Sequence, residues 1–181
     1  MRNKVKFGLK NAHFVPMNTD GTYDENVYSL PGAVSISLEA EGDSSSFAAD
    51  DDPDFFTMYV NNGYTGSLEF TLLNEDYLTK VLGQTKDNKG VITENTNDVS
   101  KPFAFMFEID GDVEKRRVVF YKCTTSRPSV EAKTKDKEND PQTEKVDIKA
   151  SQDANGNIKS IVHTGDEAYD TFFDSVYGTT I

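Results

Sequence analysis

The chain has 181 residues, enough to bury a substantial core, and its length predicts a single domain over residues 1–181. Its net charge of -12 and its pI near 4.5 argue against binding to a nucleic-acid backbone, because that affinity comes from lysine and arginine. No apolar run approaches the roughly 20 residues that span a bilayer, and the first residues lack the apolar region of a secretory signal. We therefore expect a protein that is made in the cytoplasm and does not contact a membrane.

Alternation of apolar and polar residues predicts β-strands along most of the chain. In "AVSISLEAE", for example, Ile36 and Leu38 fall on one face, whereas Ser37 and Glu39 fall on the other, as a half-buried strand requires. The run "RRVVFYKCTT" is apolar on both faces at its centre, which favours a central strand. The predicted strands cover residues 5–17, 33–41, 64–73, 102–110, 116–125, 144–150 and 158–164.

A strongly acidic stretch follows the second of these strands. Residues 41–54 read "EGDSSSFAADDDPD" and contain six carboxylates but no lysine or arginine. The stretch belongs to a long polar connection over residues 42–63, and further connections cover residues 84–101 and 131–143. Connections longer than about 12 to 15 residues are uncommon in compact domains and are usually functional or disordered. Three such connections in one chain indicate a protein whose structure is completed by contacts with neighbouring protein molecules.

Two segments have helical spacing. Asn74 is placed to cap a helix whose apolar stripe includes Tyr77 and Val81. Near the C-terminus, Thr164 and Glu167 have capping-box spacing. The stripe that follows them is Ala168, Tyr169, Phe172, Phe173, Val176 and Tyr177. The sequence therefore predicts a mainly β protein, a sandwich or barrel, with one short central helix and a C-terminal amphipathic helix.

Groups that support catalysis are scarce. The only histidines are His13 and His163, and the single cysteine, Cys123, lies in a strand-like run where a core position is expected. No Walker loop and no G-x-G-x-x-G pattern is present. We therefore predict that the protein is not an enzyme and uses no cofactor.

The acidic stretch also has partial calcium-loop spacing. Asp50, Asp52 and Asp54 match the first three ligand positions of an EF-hand, but Phe55 stands where glycine is needed and Asn61 where glutamate is needed. The pattern fails as an EF-hand, and we predict no metal site.

Aromatic residues surround the end of the acidic stretch. The segment "FFTMYVNNGY" places Phe55, Phe56, Tyr59 and Tyr64 where a monomer would expose a good part of them. An apolar cluster beside long polar loops is typical of an oligomer interface, although core contact is the alternative for some of these residues.

Several strings, in order, resemble one family. They are "LPGAVSISLEAEGD", "NNGYTGSLEFTLL", "KPFAFMFEIDGD" and "RPSVEAKTKDKENDPQTEKVDIKAS". Together they are similar to the major tail proteins of long-tailed, non-contractile phages of Gram-positive bacteria, which build the tail tube. The similarity runs from about residue 3 to the C-terminus and rests on the number and order of the strings, since no single motif is diagnostic.

The resemblance implies a β-sandwich with a flanking helix, hexameric rings of the protein, and a tube of stacked rings through which DNA is ejected. It implies a structural role in the virion tail, with the tape measure protein, the tail terminator and the distal tail protein as partners. DNA would pass without specific binding. The strands at 33–41 and 64–73 would be the arms of a hairpin that joins the ring, with residues 42–63 as its tip.

Within that picture the acidic residues have a candidate role, because a carboxylate-lined wall repels phosphates. We expect them to face the channel lumen or the junction between rings, and the alternative is an acidic loop that serves solubility. The alternatives for the whole protein are a tube or ring protein of a related system, such as a type VI secretion-like tube or a tail terminator, and a non-assembling β-sandwich binding module. The acidic candidates are Glu39, Glu41, Asp43, Asp50, Asp51, Asp52, Asp54 and Glu69.

Overall fold

The structure is a computed structural model that describes residues 4–111, 113–134 and 142–179. Within these ranges the chain is mainly β, and every predicted strand is present. The predicted connection at 131–143 lies partly outside the described residues. The strands are β1 (Lys6–Pro16), β2 (Tyr28–Ser29), β3 (Ala33–Glu41), β4 (Ser44–Ala49), β5 (Asp52–Tyr59), β6 (Gly63–Phe70), β7 (Thr85–Lys86), β8 (Ile92–Thr93), β9 (Phe103–Gly111), β10 (Arg116–Thr125), β11 (Glu144–Ser151) and β12 (Lys159–His163), and the helix is α1 (Glu75–Lys80).

The large antiparallel sheet folds over into a sandwich. The order of its described strands is β2, β1, β9, β10, β11, β6, β3. Strand β12 lies outside this order: it pairs with the first part of β10, whereas β11 pairs with the last part of β10. Strands β1 and β3 are far apart in this order, yet they contact each other. The sheet is therefore curled, and side chains of its inner face form a sandwich-like core.

The central strands β9 and β10 are buried on both faces. Phe105 and Phe120 belong to the inner core, whereas Met106 and Val119 belong to a second core on the outer face. The C-terminal segment covers this second core. This double burial explains why the sequence of β10 is apolar on both faces, and it confirms the predicted central strand.

The central helix forms as predicted. The side chain of Asn74 accepts a hydrogen bond of 3.0 Å from the backbone N of Tyr77, which satisfies one of the free N–H groups of the first turn. Tyr77 and Val81 are fully buried in the inner core, where α1 closes the sandwich.

The predicted C-terminal amphipathic helix is wrong. Residues 164–178 form successive turns, in which the backbone N of Tyr169 bonds to the oxygen of Asp166 at 3.0 Å. The segment is rich in Asp, Thr, Phe, Tyr and Val, which have modest helix propensity, so tertiary packing decides its shape. The apolar stripe is nevertheless buried, because Tyr169, Phe172 and Val176 pack on the outer face of the sheet.

A buried ionic network fastens this segment to the sheet. Glu108 is only 3% exposed; the Nε of Arg117 lies 3.0 Å from its carboxylate, and the hydroxyl of Tyr169 donates to it at 3.0 Å. Arg117 also donates to the backbone oxygens of Tyr169 and Asp170, and its guanidinium stacks 4.3 Å from the ring of Tyr169. Burial alone raises the pKa of Glu108, but the hydrogen bonds from Arg117 and Tyr169 and the nearby positive charges outweigh it and hold the pKa below its usual value.

Strands β3 and β6 approach each other closely at Gly66. A Cβ atom on Gly66 would lie 1.8 Å from the carbonyl oxygen of Ser37, so the backbones must move apart to admit it. We expect Gly66→Ala to lower the free energy of unfolding, measured in urea, by about 1–3 kcal/mol. Ser67→Ala, in the same strand, is the control and should change it by less than about 0.5 kcal/mol. Equal urea midpoints for the two variants would contradict the predicted clash.

Candidate functional site

The most distinctive feature of the surface is one long hairpin over residues 33–70. Strands β3 and β6 pair as predicted, and the ladder continues through the bonds from Asn62 N to Glu41 O at 2.9 Å and from Val60 N to Asp43 O at 2.8 Å. Strands β4 and β5 then pair with each other. The prediction of a loop over residues 42–63 is therefore wrong. We call the part formed by residues 42–62 the hairpin arm.

The turn of the hairpin arm consists of aspartates. Asp50 and Asp51 have φ values of 50° and 60°, the left-handed region that both central residues of a type I′ turn require. This turn normally contains Asn-Gly, and aspartate tolerates it because its short side chain can bond locally. The sequence "ADDD" therefore forms a two-residue hairpin turn, although it lacks the Asn-Gly pair by which such a turn is usually recognised.

The hairpin arm exposes large apolar side chains on both faces. Phe47, Phe56 and Met58 alternate onto one face and are 66%, 60% and 52% exposed. Phe55 and Tyr59 lie on the other face and are 58% and 81% exposed. None of these side chains belongs to either core. An isolated two-stranded hairpin is at best marginally stable in water, and an exposed apolar patch marks an interaction surface.

The structure separates the four predicted interface aromatics. Phe55, Phe56 and Tyr59 lie together on the hairpin arm, whereas Tyr64 lies in β6, 5.3 Å between ring centroids from Phe120. Sequence reasoning missed Phe47, because it stands alone among serines and alanines in β4. Only its pairing with Phe56 reveals it as part of the apolar face.

The acidic candidates fall into two groups, of which the first lies on the outer face of the sandwich. Glu39 is exposed, Glu41 pairs with Lys149 at 3.0 Å, and Glu69 stands directly opposite Lys145 in the ladder. Hydrogen bonds from Thr143 and Ser35 lower the pKa of Glu69. This face is therefore of mixed charge, not uniformly acidic as the sequence of β3 alone indicates.

The second group lies on the hairpin arm. Asp43 accepts a hydrogen bond of 3.0 Å from the side chain of Asn62 at the base of the arm. At the far end, Asp52 accepts from the backbone N of Asp54 at 3.0 Å. The hairpin arm has no lysine or arginine, so its charge is not balanced within the arm. This group comprises Asp43, Asp50, Asp51, Asp52 and Asp54.

A groove of about 410 Å³ lies at the open side of the sandwich, between the edge strands β3 and β12. We call it the β3–β12 groove. Among the described residues, its lining combines apolar side chains with three cationic ones, Lys6, Arg116 and Lys159, and contains no carboxylate. Lys159 donates to the hydroxyl of Tyr64 at 2.8 Å. The Nε of Arg116 is buried and has no hydrogen-bond partner among the described residues.

The groups considered for catalysis do not converge. Cys123 is fully buried, and burial raises the pKa of its thiol. The Nδ1 of His13 lies 2.8 Å from the backbone oxygen of Asn11, and its ring lies 5.0 Å from that of Phe173. Among the described residues no three or more His, Cys, Asp or Glu side chains are grouped to hold a metal ion.

The described residues contain no helix that is long and apolar enough to cross a membrane. Neither a protein-family model nor a curated protein matches this chain.

Proposed function

We propose that this protein is the tail tube subunit of a long-tailed, non-contractile phage, and that it assembles into stacked hexameric rings around a channel for DNA ejection. The observation that carries the proposal is the hairpin arm with its exposed aromatic side chains. Strand β5 has eight residues at about 3.3 Å each, so the arm extends about 25 Å beyond the main sheet. A neighbouring copy is the natural cover for such an arm, and the order of the resembling strings supports the same role.

The edges of the sandwich favour assembly as well. Among the described strands, β3 pairs only with β6, and β12 pairs only with β10. An unpaired strand edge is a template for pairing with another chain. The hairpin arm and an open strand edge are different surfaces, so a contact between the arm of one copy and the edge of another is heterologous, and such contacts generate rings or filaments.

The two acidic groups receive different roles in this proposal. The first group, Glu39, Glu41 and Glu69, forms part of the channel wall together with the neighbouring lysines. Because the positive charges there do not outnumber the carboxylates, DNA passes this wall without specific binding. The aspartates of the hairpin arm lie at the junction between subunits or rings. A tube map that places both groups on the outer surface would contradict this assignment.

The tape measure protein, the tail terminator and the distal tail protein are the further partners that this role implies, and the virion tail is the implied location. The resemblance, rather than any contact in this chain, supports these partners.

Negative-stain electron microscopy with light scattering, over a concentration series of the purified protein, tests the proposal. Stacked rings or hollow filaments are the expected result. Single closed rings that never stack would favour a terminator-like ring protein. A monomer across the whole series would contradict self-assembly and favour a non-assembling β-sandwich binding module.

A further inference from the structure

We propose that the β3–β12 groove binds the tip of the hairpin arm of a second copy of this chain. The inference rests on the proposed self-assembly and adds to it the contact by which one copy holds the next.

Charge complementarity identifies the occupant. The described residues that line the β3–β12 groove include three cationic side chains and no carboxylate, although the chain has a net charge of -12. The hairpin arm has five aspartates and no cationic residue. Opposite potentials of this kind steer association and fix its register.

Arg116 provides a specific anchor for a carboxylate. Its buried Nε has no partner among the described residues, and a buried donor without a hydrogen bond costs about 1–3 kcal/mol. An aspartate from the hairpin arm that enters the groove would meet the guanidinium of Arg116 in the lining and form a charge-assisted bond with it. Lys6 and Lys159 are positioned in the same lining to receive further carboxylates.

The apolar surfaces also match. Ile36, Leu38 and Ile109 in the lining are only partly buried, and Ile161 at its edge is 44% exposed. The apolar face of the hairpin arm carries Phe47, Phe56 and Met58, which have no cover within their own chain. Docking would bury the two apolar surfaces against each other while the aspartates meet the cations.

The arm cannot fill the groove of its own subunit. Residues 36–38 of β3 line the groove, and the arm begins directly after β3 ends. The continuous ladder carries the turn away from that part of β3, and Asp50, twelve residues beyond Leu38, lies about 40 Å farther along. The occupant must therefore come from another copy, which makes the contact heterologous.

Cysteine cross-linking between two separately made variants tests this contact without disturbing the fold. Asp52→Cys places a thiol at the tip of the arm, and Lys159→Cys places one at the exposed rim of the groove. When the two are mixed under oxidising conditions, we expect an intermolecular disulfide between them. Asp52→Cys mixed with Asp174→Cys is the control, because Asp174 is exposed on the segment that covers the opposite face. The native Cys123 is buried and should not react.

Reciprocal charge reversal provides the second measurement. Arg116→Glu with Lys159→Glu, or Asp52→Lys with Asp54→Lys, should each raise the concentration needed for assembly at least about tenfold, which corresponds to about 1.4 kcal/mol. Mixing the two reversed variants should restore part of the assembly. Tubes that form at an unchanged concentration from both variants would overturn the inference.

The two proposals fail in different ways. Tubes without cross-linking at Lys159 above the control would overturn the groove contact and leave the tube function intact. Cross-linking at Lys159 in a protein that forms only pairs would support the groove contact and contradict the tube. A monomer that shows no cross-linking above the control would overturn both.

Discussion

Replacing Arg117 by alanine is expected to lower the free energy of unfolding by about 3 kcal/mol, because it leaves the buried carboxylate of Glu108 with only the more distant and partly exposed Lys10 as its cation, at 3.6 Å. Glu108 is 3% exposed, and Arg117 also holds the backbone of the C-terminal segment through Tyr169 and Asp170. Urea unfolding at neutral pH, followed by tyrosine fluorescence, measures the change. Tyr169 lies in the segment that should be released first.

The chain contains a matched control for this variant. Arg127 pairs with Glu94, but the two side chains are 72% and 44% exposed, so Arg127→Ala should cost less than about 1 kcal/mol. Replacing Glu108 and Arg117 together by methionine should recover most of the loss, since two apolar groups leave no unpaired charge. Equal effects of Arg117→Ala and Arg127→Ala would show that the buried network does not hold the segment.

The same network predicts a dependence on pH. The pKa of Glu108 is lowered in the folded state, so its stabilising contribution is present above the ordinary glutamate pKa and is lost as the pH falls through the lowered value. In Arg117→Ala the hydrogen bond and the charge of Arg117, which oppose the effect of burial, are lost, so the pKa of Glu108 is higher than in the wild type. The folded variant then takes up a proton on Glu108 at a higher pH, which relieves the cost of the buried charge. The difference in stability between wild type and variant should therefore narrow as the pH falls through the glutamate range. A difference that stays constant with pH would contradict this.

The β framework was predictable because alternation with a period of two reports burial on one face. The runs at 33–41 and 144–150 have this alternation, and they are strands β3 and β11. The helix at Glu75–Lys80 was predictable because its cap residue and its buried stripe lie within one short segment. These features depend on local sequence alone.

The features that were not predictable depend on contacts between distant residues. Strand β4 is mostly serine and alanine, and it is a strand because β5 pairs with it. The C-terminal stripe fits a helix and a chain of turns equally well, and the outer face of the sheet selects the turns. Lys6, Arg116 and Lys159 are far apart in sequence, and only the topology brings them into one groove. The exposure of Phe55 and Tyr59 was predicted from their place beside the acidic stretch, although core contact remained the alternative for some of the aromatic residues there.

Replacing Phe56 and Met58 by serine is expected to weaken self-association about thirtyfold while leaving the subunit folded. Both side chains are more than half exposed in the isolated subunit, at 60% and 52%, so they contribute little to its core. Complete burial of such a side chain is worth about 1.5–3 kcal/mol, and we discount this to about 1 kcal/mol each because each is already partly covered. Together they supply about 2 kcal/mol of the contact, which corresponds to the thirtyfold change.

Two measurements on this double variant separate assembly from folding. The urea midpoint should stay near that of the wild type, whereas the concentration at which light scattering detects rings or filaments should rise about thirtyfold. Val99→Ser is the control, because Val99 is 76% exposed in the connection at 84–101, away from the hairpin arm. Unchanged assembly in the double variant, or an equal loss with Val99→Ser, would mean that the arm is not the contact. A fall in assembly at constant stability would mean that the apolar face of the arm is kept for a neighbour, because its own subunit gains little from it.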